Sequence, residues 1–245
     1  NTVKILDVIY AHNSAKDSGG ALYIDQMKYT EIVSSLFENN QATTDRGGGV
    51  YIDSEVQIIL YSKFVLNQAK RAGGALRSQN TKLFVCNVST IVTNIGGSGG
   101  AISLLNADRA IINQVLMYNN TVKGFGGGVE IRSSKNILII ASTFLLNTGM
   151  TGGGAYLKIV GVFQSKSTEF RLNFANIMGG AFAIIDTKVL HSMSNKFISN
   201  FGNLSSGGGI YCKTSQVILI QNSTYLNNSA GSFGGAVFLE LSSKV

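Results

Sequence analysis

The sequence predicts an all-β fold: a right-handed single-stranded parallel β-helix solenoid of about nine coils of about 27 residues each. Two alternating motifs and one feature of the composition predict it. The first motif is Gly-Gly followed by a small apolar residue, read at Gly19, Gly48, Gly73, Gly99, Gly127, Gly153, Gly179, Gly208 and Gly234. The second is a large apolar residue three places before an Asn, ending at Asn13, Asn40, Asn67, Asn94, Asn120, Asn147, Asn173, Asn200 and Asn228. The Asn spacing stays at 26 to 28 residues throughout. Charged residues make up 13% of the chain, against roughly 25% in ordinary soluble domains, and there are 29 Gly but no Pro or Trp. Much of the outer surface must therefore be polar and uncharged, or covered.

A period near 27 is too short for a propeller blade, and the three-four apolar spacing of a helix-pair repeat is missing. A leucine-rich repeat needs a Leu ladder, whereas the recurring residues here are Ile, Ala, Phe, Asn and Gly. Short β-rich runs such as VQIIL at Val56, NILII at Asn136 and QVILI at Gln216 fit three strands per coil. Eight places before each Asn stand Ile5, Ile32, Ile59, Cys86, Ile112, Ile139, Ser165, Ser192 and Ile220, an apolar ladder with two polar defects. Three places before it stand Tyr10, Phe37, Phe64, Ile91, Met117, Phe144, Phe170, Phe197 and Tyr225, a stack of large side chains. The Asn residues are expected to stack as a structural ladder, each amide bonding the next coil for about 1 kcal/mol net.

The Gly pairs mark the bend between the Asn turn and the next strand, where backbone is crowded or left-handed. A phosphate loop would need a helix N-terminus behind it and a Lys-Ser or Lys-Thr after it, and neither accompanies any of the pairs. The whole of 1–245 reads as one domain. The repeat runs to both ends, so the chain is expected to be a segment of a longer chain or assembly, with further coils or a neighbouring copy covering each end.

The formal charge of +7 comes from scattered Lys and Arg without a basic stripe, which argues against a nucleic-acid partner. No apolar stretch reaches the roughly 18 residues of a bilayer span, so no direct membrane span is expected.

Tandem GGA followed by Ile, Leu, Val or Tyr, alternating with Phe-x-x-Asn, resembles the repeats of the chlamydial polymorphic outer-membrane proteins. Related repeats occur in surface proteins of ciliates and other protists. The resemblance covers essentially the entire chain, and it implies a parallel β-helix displayed outside a cell for adhesion or structural display, with no catalytic residues. This sequence departs from the family pattern in having no Pro and only two Cys.

Parallel β-helices also host carbohydrate-active enzymes, whose sites place carboxylates with Arg or Lys at equivalent outward positions of adjacent coils, about 5 Å apart. Asp25, Asp53 and Arg77 are the best candidates, but their registers do not match, and no third carboxylate completes a calcium site. Arg132 and Lys158 share a register yet make no acid-base pair. His12 and His191 lie about seven coils apart, and Cys86 and Cys212 are about 20 Å apart, beyond the ~7 Å reach of a disulfide. No catalytic, cofactor-binding or metal-binding residue is expected, and no cofactor.

Sequons stand at Asn87, Asn119, Asn203, Asn222 and Asn227, and register points Asn87, Asn119 and Asn227 towards solvent. Two places before the ladder Asn, Val65, Val92, Tyr118, Leu145, Ile198 and Leu226 should form an outward apolar stripe, a lateral interface packing against another chain. The expected function is a non-enzymatic extracellular structural or adhesive element of a cell surface or extracellular filament. Its expected partners are other protein chains, by self-assembly or in a larger extracellular complex, and glycans. The alternative is a carbohydrate-binding or pectate-lyase-like carbohydrate-active β-helix.

Overall fold

Each repeat folds into one coil of three strands, and every strand pairs in parallel with its counterparts in the adjacent coils. The structure, a computed structural model, describes residues 1–204 and 206–241. Coils are numbered 1 to 9 by their Asn, from Asn13 to Asn228. In coil 4, Leu76–Asn87 lies in sheet 1, Thr90–Val92 in sheet 2 and Ile95–Gly96 in sheet 3. Sheet 1 has eleven strands, and sheets 2 and 3 have nine each. No helix occurs among the described residues, and the predicted β-solenoid of about nine turns is the observed fold.

The core runs through the solenoid as stacked columns. Ile32, Ile59, Cys86, Ile112 and Ile139 are fully buried in one column, and Phe37, Phe64, Ile91, Met117, Phe144, Phe170 and Phe197 in another. The rings stack at coil spacing, with centroids 4.8 Å apart for Phe37 and Phe64 and 5.2 Å for Phe170 and Phe197. Burying each such side chain contributes on the order of 1.5–3 kcal/mol, which offsets the entropy of fixing the coil.

The Ile ladder's two defects have a local cause. In coil 8 the first corner after sheet 1 holds Asn195, which is buried. Its Nδ2 donates to Ser192 Oγ at 2.9 Å and to the Ser165 carbonyl at 2.9 Å, while its Oδ1 accepts from Thr168 N at 2.9 Å. Ser165 Oγ also donates to Asn195 Oδ1 at 3.3 Å, so the hydroxyls of Ser165 and Ser192 satisfy a buried amide that Ile side chains could not. An unpartnered amide there would cost more than the apolar contact they give up.

Three corners per coil carry a residue in the left-handed region. Immediately before the ladder Asn the φ is between 51° and 57° in all nine coils, including Leu66, Thr93 and Leu146, where L side chains are strained by roughly 1–2 kcal/mol. The ladder Asn itself offsets that strain. Asn94 shows the pattern: its backbone N and its Nδ2 both donate to Asn120 Oδ1 at 3.0 Å, and its Nδ2 also donates to the Phe64 carbonyl at 3.1 Å. The same bonds link the Asn side chains from Asn13 to Asn228 in one column, and those from Asn40 to Asn200 are fully buried.

At the Gly corner the left-handed residues are Gly19, Gly47, Gly73, Gly99, Gly126, Gly152, Gly179, Gly207 and Gly234. This corrects the motif register in four coils. The pairs read at Gly48, Gly127, Gly153 and Gly208 begin one residue earlier, and the third Gly of each triplet occupies the place that Ala holds elsewhere. The second Gly is held by close packing between coils. A Cβ on Gly127 would lie 2.6 Å from Thr148 N and overlap the Gly153 carbonyl oxygen.

The remaining corner, after sheet 1, carries a polar ladder not evident from the two motifs. Ser35, Ser62, Ser89, Ser142, Thr168, Asn195 and Ser223 each accept a backbone N–H from the preceding coil, as in Ser62 N to Ser89 Oγ at 3.1 Å. Its signal is present in the sequence: these residues stand five places before their ladder Asn, so the fuller motif is Ser-x-Phe-x-x-Asn.

Candidate functional site

Sheet 1 is long because most of its strands bend in the middle. In coil 4 the bend is at Asn80, with φ 52°, and residues beyond it alternate again between core and surface. The second half of each strand sends three residues outward, which stack into three columns. The central column runs Lys4, Glu31, Ile58, Val85, Ile111, Leu138, Gln164, His191 and Leu219. On one side lie Tyr29, Val56, Leu83, Arg109, Asn136, Val162 and Val189, and on the other Val33, Leu60, Asn87, Asn113, Ile140 and Lys166.

Coils 3 to 6 therefore present a flat apolar field centred on Ile58, Val85, Ile111 and Leu138, all half-buried. Ile58, Val85, Ile111 and Leu138 keep part of their surface open to solvent, and Arg109 and Asn136 beside them are exposed. Beside the field, Arg109, Asn136, Leu138, Val162 and Gln164 line a depression of about 320 Å³.

The first half of sheet 1 is different, because the loop before each Gly corner folds over it. There Arg77 Nη1 donates to Ser103 Oγ at 2.7 Å, and Ser103 Oγ donates to Glu130 Oε2 at 2.8 Å. Arg132 Nε closes on Glu130 Oε1 at 2.6 Å, with its guanidinium 4.9 Å from the Phe125 ring centre and 5.3 Å from that of Tyr156. Burial pulls the Arg77 guanidinium below its ordinary value, and nearby Arg46 adds to this, while Glu130 opposes it. Asp53 accepts from Gln79 Nε2 at 2.9 Å and Asn80 Nδ2 at 2.7 Å. Arg77 pairs in register with Tyr51, and Asp53 with Gln79. The candidates Asp53 and Arg77 thus belong to a side-chain network within the wall. Asp25, half-buried, lies beside Tyr23, whose exposed ring stacks on Tyr51 at 4.7 Å. Arg132 and Lys158 are register partners, as their spacing indicated.

His12 is in coil 1 and His191 in coil 8, and Cys86 and Cys212 are both free and buried. Burial pushes the Cys86 thiol up to about 12. Among the described residues no three His, Cys, Asp or Glu side chains are grouped to hold a metal ion, and no helix is long and apolar enough to cross a membrane.

Four sequon residues, Asn119, Asn203, Asn222 and Asn227, are exposed or line the exposed corners. Ser205, which completes the Asn203 sequon, lies outside the described residues. Asn87 is half-buried on the sheet 1 face and accepts from Asn113 Nδ2 at 2.9 Å. The sheet 2 stripe Val65, Val92, Tyr118, Leu145, Ile198 and Leu226 is half-buried except for Leu226, 52% exposed, and Arg171 interrupts it between Leu145 and Ile198. It is one column wide, whereas the sheet 1 field spans three columns in coil 3, at Val56, Ile58 and Leu60, and narrows to one in coil 5, where Arg109 and Asn113 flank Ile111. Sequence reasoning missed that wider field because runs such as NILII are apolar at both parities and do not say which residues point out. Comparisons of the chain with protein-family models, with curated proteins and with solved structures give no significant match.

Proposed function

We propose that this chain is a non-enzymatic structural or adhesive element of the cell exterior, a stiff spacer that works by contact through its flat faces. The observation that carries this reading is the solvent-open apolar field of sheet 1, centred on Ile58, Val85, Ile111 and Leu138. Contiguous apolar surface of this kind marks a contact site for protein partners. The stripe Val65, Val92, Tyr118, Leu145, Ile198 and Leu226 offers a second, narrower contact. The sequons at the Asn119 and Asn227 corners, and the likeness of the repeats to surface-displayed proteins, support the extracellular location. The polar side chains of the wall fit a structural part. Glu130, Asp53, Glu55 and Asp108 are each engaged by Arg, Lys or amide groups of neighbouring coils or of their own.

The experiment is a double substitution, Ile58→Lys with Leu138→Lys, in the chain expressed in its native setting. Loss from the native high-mass assembly with an unchanged far-ultraviolet spectrum is expected. A variant that stays in the assembly as before refutes the contact role. A second reading, carbohydrate binding, is favoured by the exposed Tyr23 ring stacked on Tyr51 beside Asp25 and Asp53, an aromatic platform flanked by hydrogen-bonding carboxylates. Glycan-array binding lost in Tyr23→Ala would favour it over the first.

A further inference from the structure

The bend in the middle of sheet 1 carries an alternating charge pattern with one gap in it. We propose that the gap, between Lys135 and Lys188, binds the carboxylate of an acidic sugar, a hexuronate unit of a glycan. The site lies at the bend, apart from the apolar field, and is independent of the contact role proposed above.

The outward column just past the bend runs Glu55, Lys82, Asp108, Lys135, Gly161 and Lys188 in coils 3 to 8. Lysine recurs in every second coil, and an acid stands before each of the first two: Lys82 Nζ donates to Glu55 Oε2 at 2.8 Å, and Lys135 Nζ to Asp108 Oδ1 at 2.8 Å. The hydrogen bond and charge of Lys82 hold the Glu55 carboxyl below its ordinary value, and Lys28 of coil 2 adds to this. In coil 7 the place of the acid is taken by Gly161. Lys135 and Lys188 therefore face each other across two coil steps, about 9.6 Å, with no acidic side chain between them in the column.

The neighbouring column, at the bend itself, changes over the same coils. Asn80 Nδ2 donates to Asp53 Oδ2 at 2.7 Å and Asn106 Nδ2 to Asn80 Oδ1 at 3.1 Å, so coils 3 to 5 are closed by their own side chains. Coils 6 to 8 hold Ser133, Ile159 and Asp186 there, all exposed. Among the described residues neither Asp186 nor Lys188 makes a side-chain hydrogen bond or an ion pair. Together Ser133, Lys135, Ile159, Gly161, Asp186 and Lys188 line a depression of about 320 Å³. Backbone forms its floor, since a Cβ on Gly161 would come within 2.6 Å of the Lys135 carbonyl oxygen. A second depression, of about 640 Å³, shares Ile159, Asp186 and Lys188 and continues to Ser215 and Gln216 of coil 9. Thr187 lines it and keeps a buried Oγ1 without a hydrogen-bond partner.

The chemistry of the lining selects the ligand class. Two ammonium groups on either side of a gap favour an anion between them. Asp186 opposes a doubly charged sulfate or phosphate, whereas its oxygens accept protons from hydroxyls, as does Ser133 Oγ. The exposed side chain of Ile159 offers an apolar surface to the C–H face of a pyranose ring. A ligand with one carboxylate, several hydroxyls and an apolar face is a hexuronate. A bare carboxylate, such as an acidic peptide side chain presents, uses only part of the site.

The test is an amide-resolved NMR titration of the purified chain with sodium glucuronate, set against glucose and sodium acetate, which carry the hydroxyls alone and the charge alone. Glucuronate is expected to shift the Gly161 and Lys188 amides saturably, with a dissociation constant of about 1 mM, because solvent-screened charges contribute modestly. Glucose and acetate should each bind at least about tenfold more weakly. Lys188→Gln breaks no side-chain bond of the fold and should weaken glucuronate at least about fivefold. Lys70→Gln, exposed just after the sheet 3 strand Gln68–Ala69, should leave it unchanged. Asp186→Asn should lower the ratio of glucuronate to acetate affinity at least about threefold. Acetate binding as tightly as glucuronate, or an unchanged ratio in Asp186→Asn, overturns the assignment to a sugar. Absence of any shift at Gly161 and Lys188, or equal binding by Lys188→Gln and the native chain, overturns the site itself.

Discussion

Replacing Asn120 by Ala removes four hydrogen bonds from the middle of the ladder. Asn120 Oδ1 accepts from Asn94 N and Asn94 Nδ2, both at 3.0 Å, and Asn120 Nδ2 donates to the Ile91 carbonyl at 2.9 Å and to Asn147 Oδ1 at 3.0 Å. Some of this is recovered: Asn94 Nδ2 keeps its bonds to the Phe64 and Val92 carbonyls, and Asn147 Oδ1 keeps the Asn120 backbone N–H. The Asn94 backbone N–H is left without its acceptor at a residue that is fully buried. An orphaned buried donor costs roughly 1–3 kcal/mol and each net bond about 1 kcal/mol, so Asn120→Ala should destabilise by about 3 kcal/mol. Asn120→Asp keeps the volume but turns an oxygen towards Ile91 O and Asn147 Oδ1, and should cost more. The control is Thr93→Ala, next to the ladder at φ 55° and half-buried, where losing a β-branched side chain from left-handed backbone should cost almost nothing. Urea unfolding followed by circular dichroism measures all three. With a slope of about 3 kcal/mol/M, the Asn120→Ala midpoint should fall by about 1 M. Because coils can unfold semi-independently, hydrogen exchange at Asn94 and Asn147 should report the loss locally as well. Equal midpoints for Asn120→Ala and Thr93→Ala would refute the ladder as a source of stability.

Gly127→Ala should cost at least about 2 kcal/mol, because its Cβ would meet backbone of the next coil, whereas Gly202→Ala, whose Cβ would find its nearest atom at 3.4 Å, should melt within about 2 °C of the native chain. Burial holds the hydroxyls of Tyr51, Tyr211 and Tyr225 up to about 12 against an ordinary value of 10. These are acids whose folded pKa is raised, so their contribution is intact below pH 10 and lost as pH rises from 10 through about 12; thermal melts should decline over that window, and less steeply in Tyr51→Phe. Mass spectrometry of protein from its native source should find hexose-bearing glycan at Asn119 or Asn227, both at left-handed corners; unmodified peptides at both would remove the support for a secreted location.

Spacing along the chain was enough to give the period, the parallel stacking and the three inward columns. Residues one period apart become neighbours about 4.8 Å apart, and identical side chains then stack. The Ile, aromatic and Asn columns were legible for that reason. Two corners were read less well. The Gly register was misplaced by one in the four triplet coils because Gly49, Gly128, Gly154 and Gly209 look the same in sequence as the left-handed Gly47, Gly126, Gly152 and Gly207, and only backbone φ tells them apart. The Ser ladder was legible but hidden by its substitutes, Thr168 and Asn195.

Which side of an apolar run faces out was settled only in three dimensions. In VQIIL it is Gln57 that is fully buried while Val56, Ile58 and Leu60 point outward. Coil 3 has one residue fewer than its neighbours in sheet 1, Val50–Leu60 against Leu76–Asn87, and lacks the left-handed bend. The resulting register shift leaves carbonyls of Ser54 and Gln79 facing inward, where Gln57 Nε2 bonds them at 3.0 Å and 3.3 Å. Polarity along the chain therefore points the wrong way at this position. A buried backbone carbonyl must be satisfied, and that requirement, set by how two coils meet in space, outweighs the preference of an amide for water.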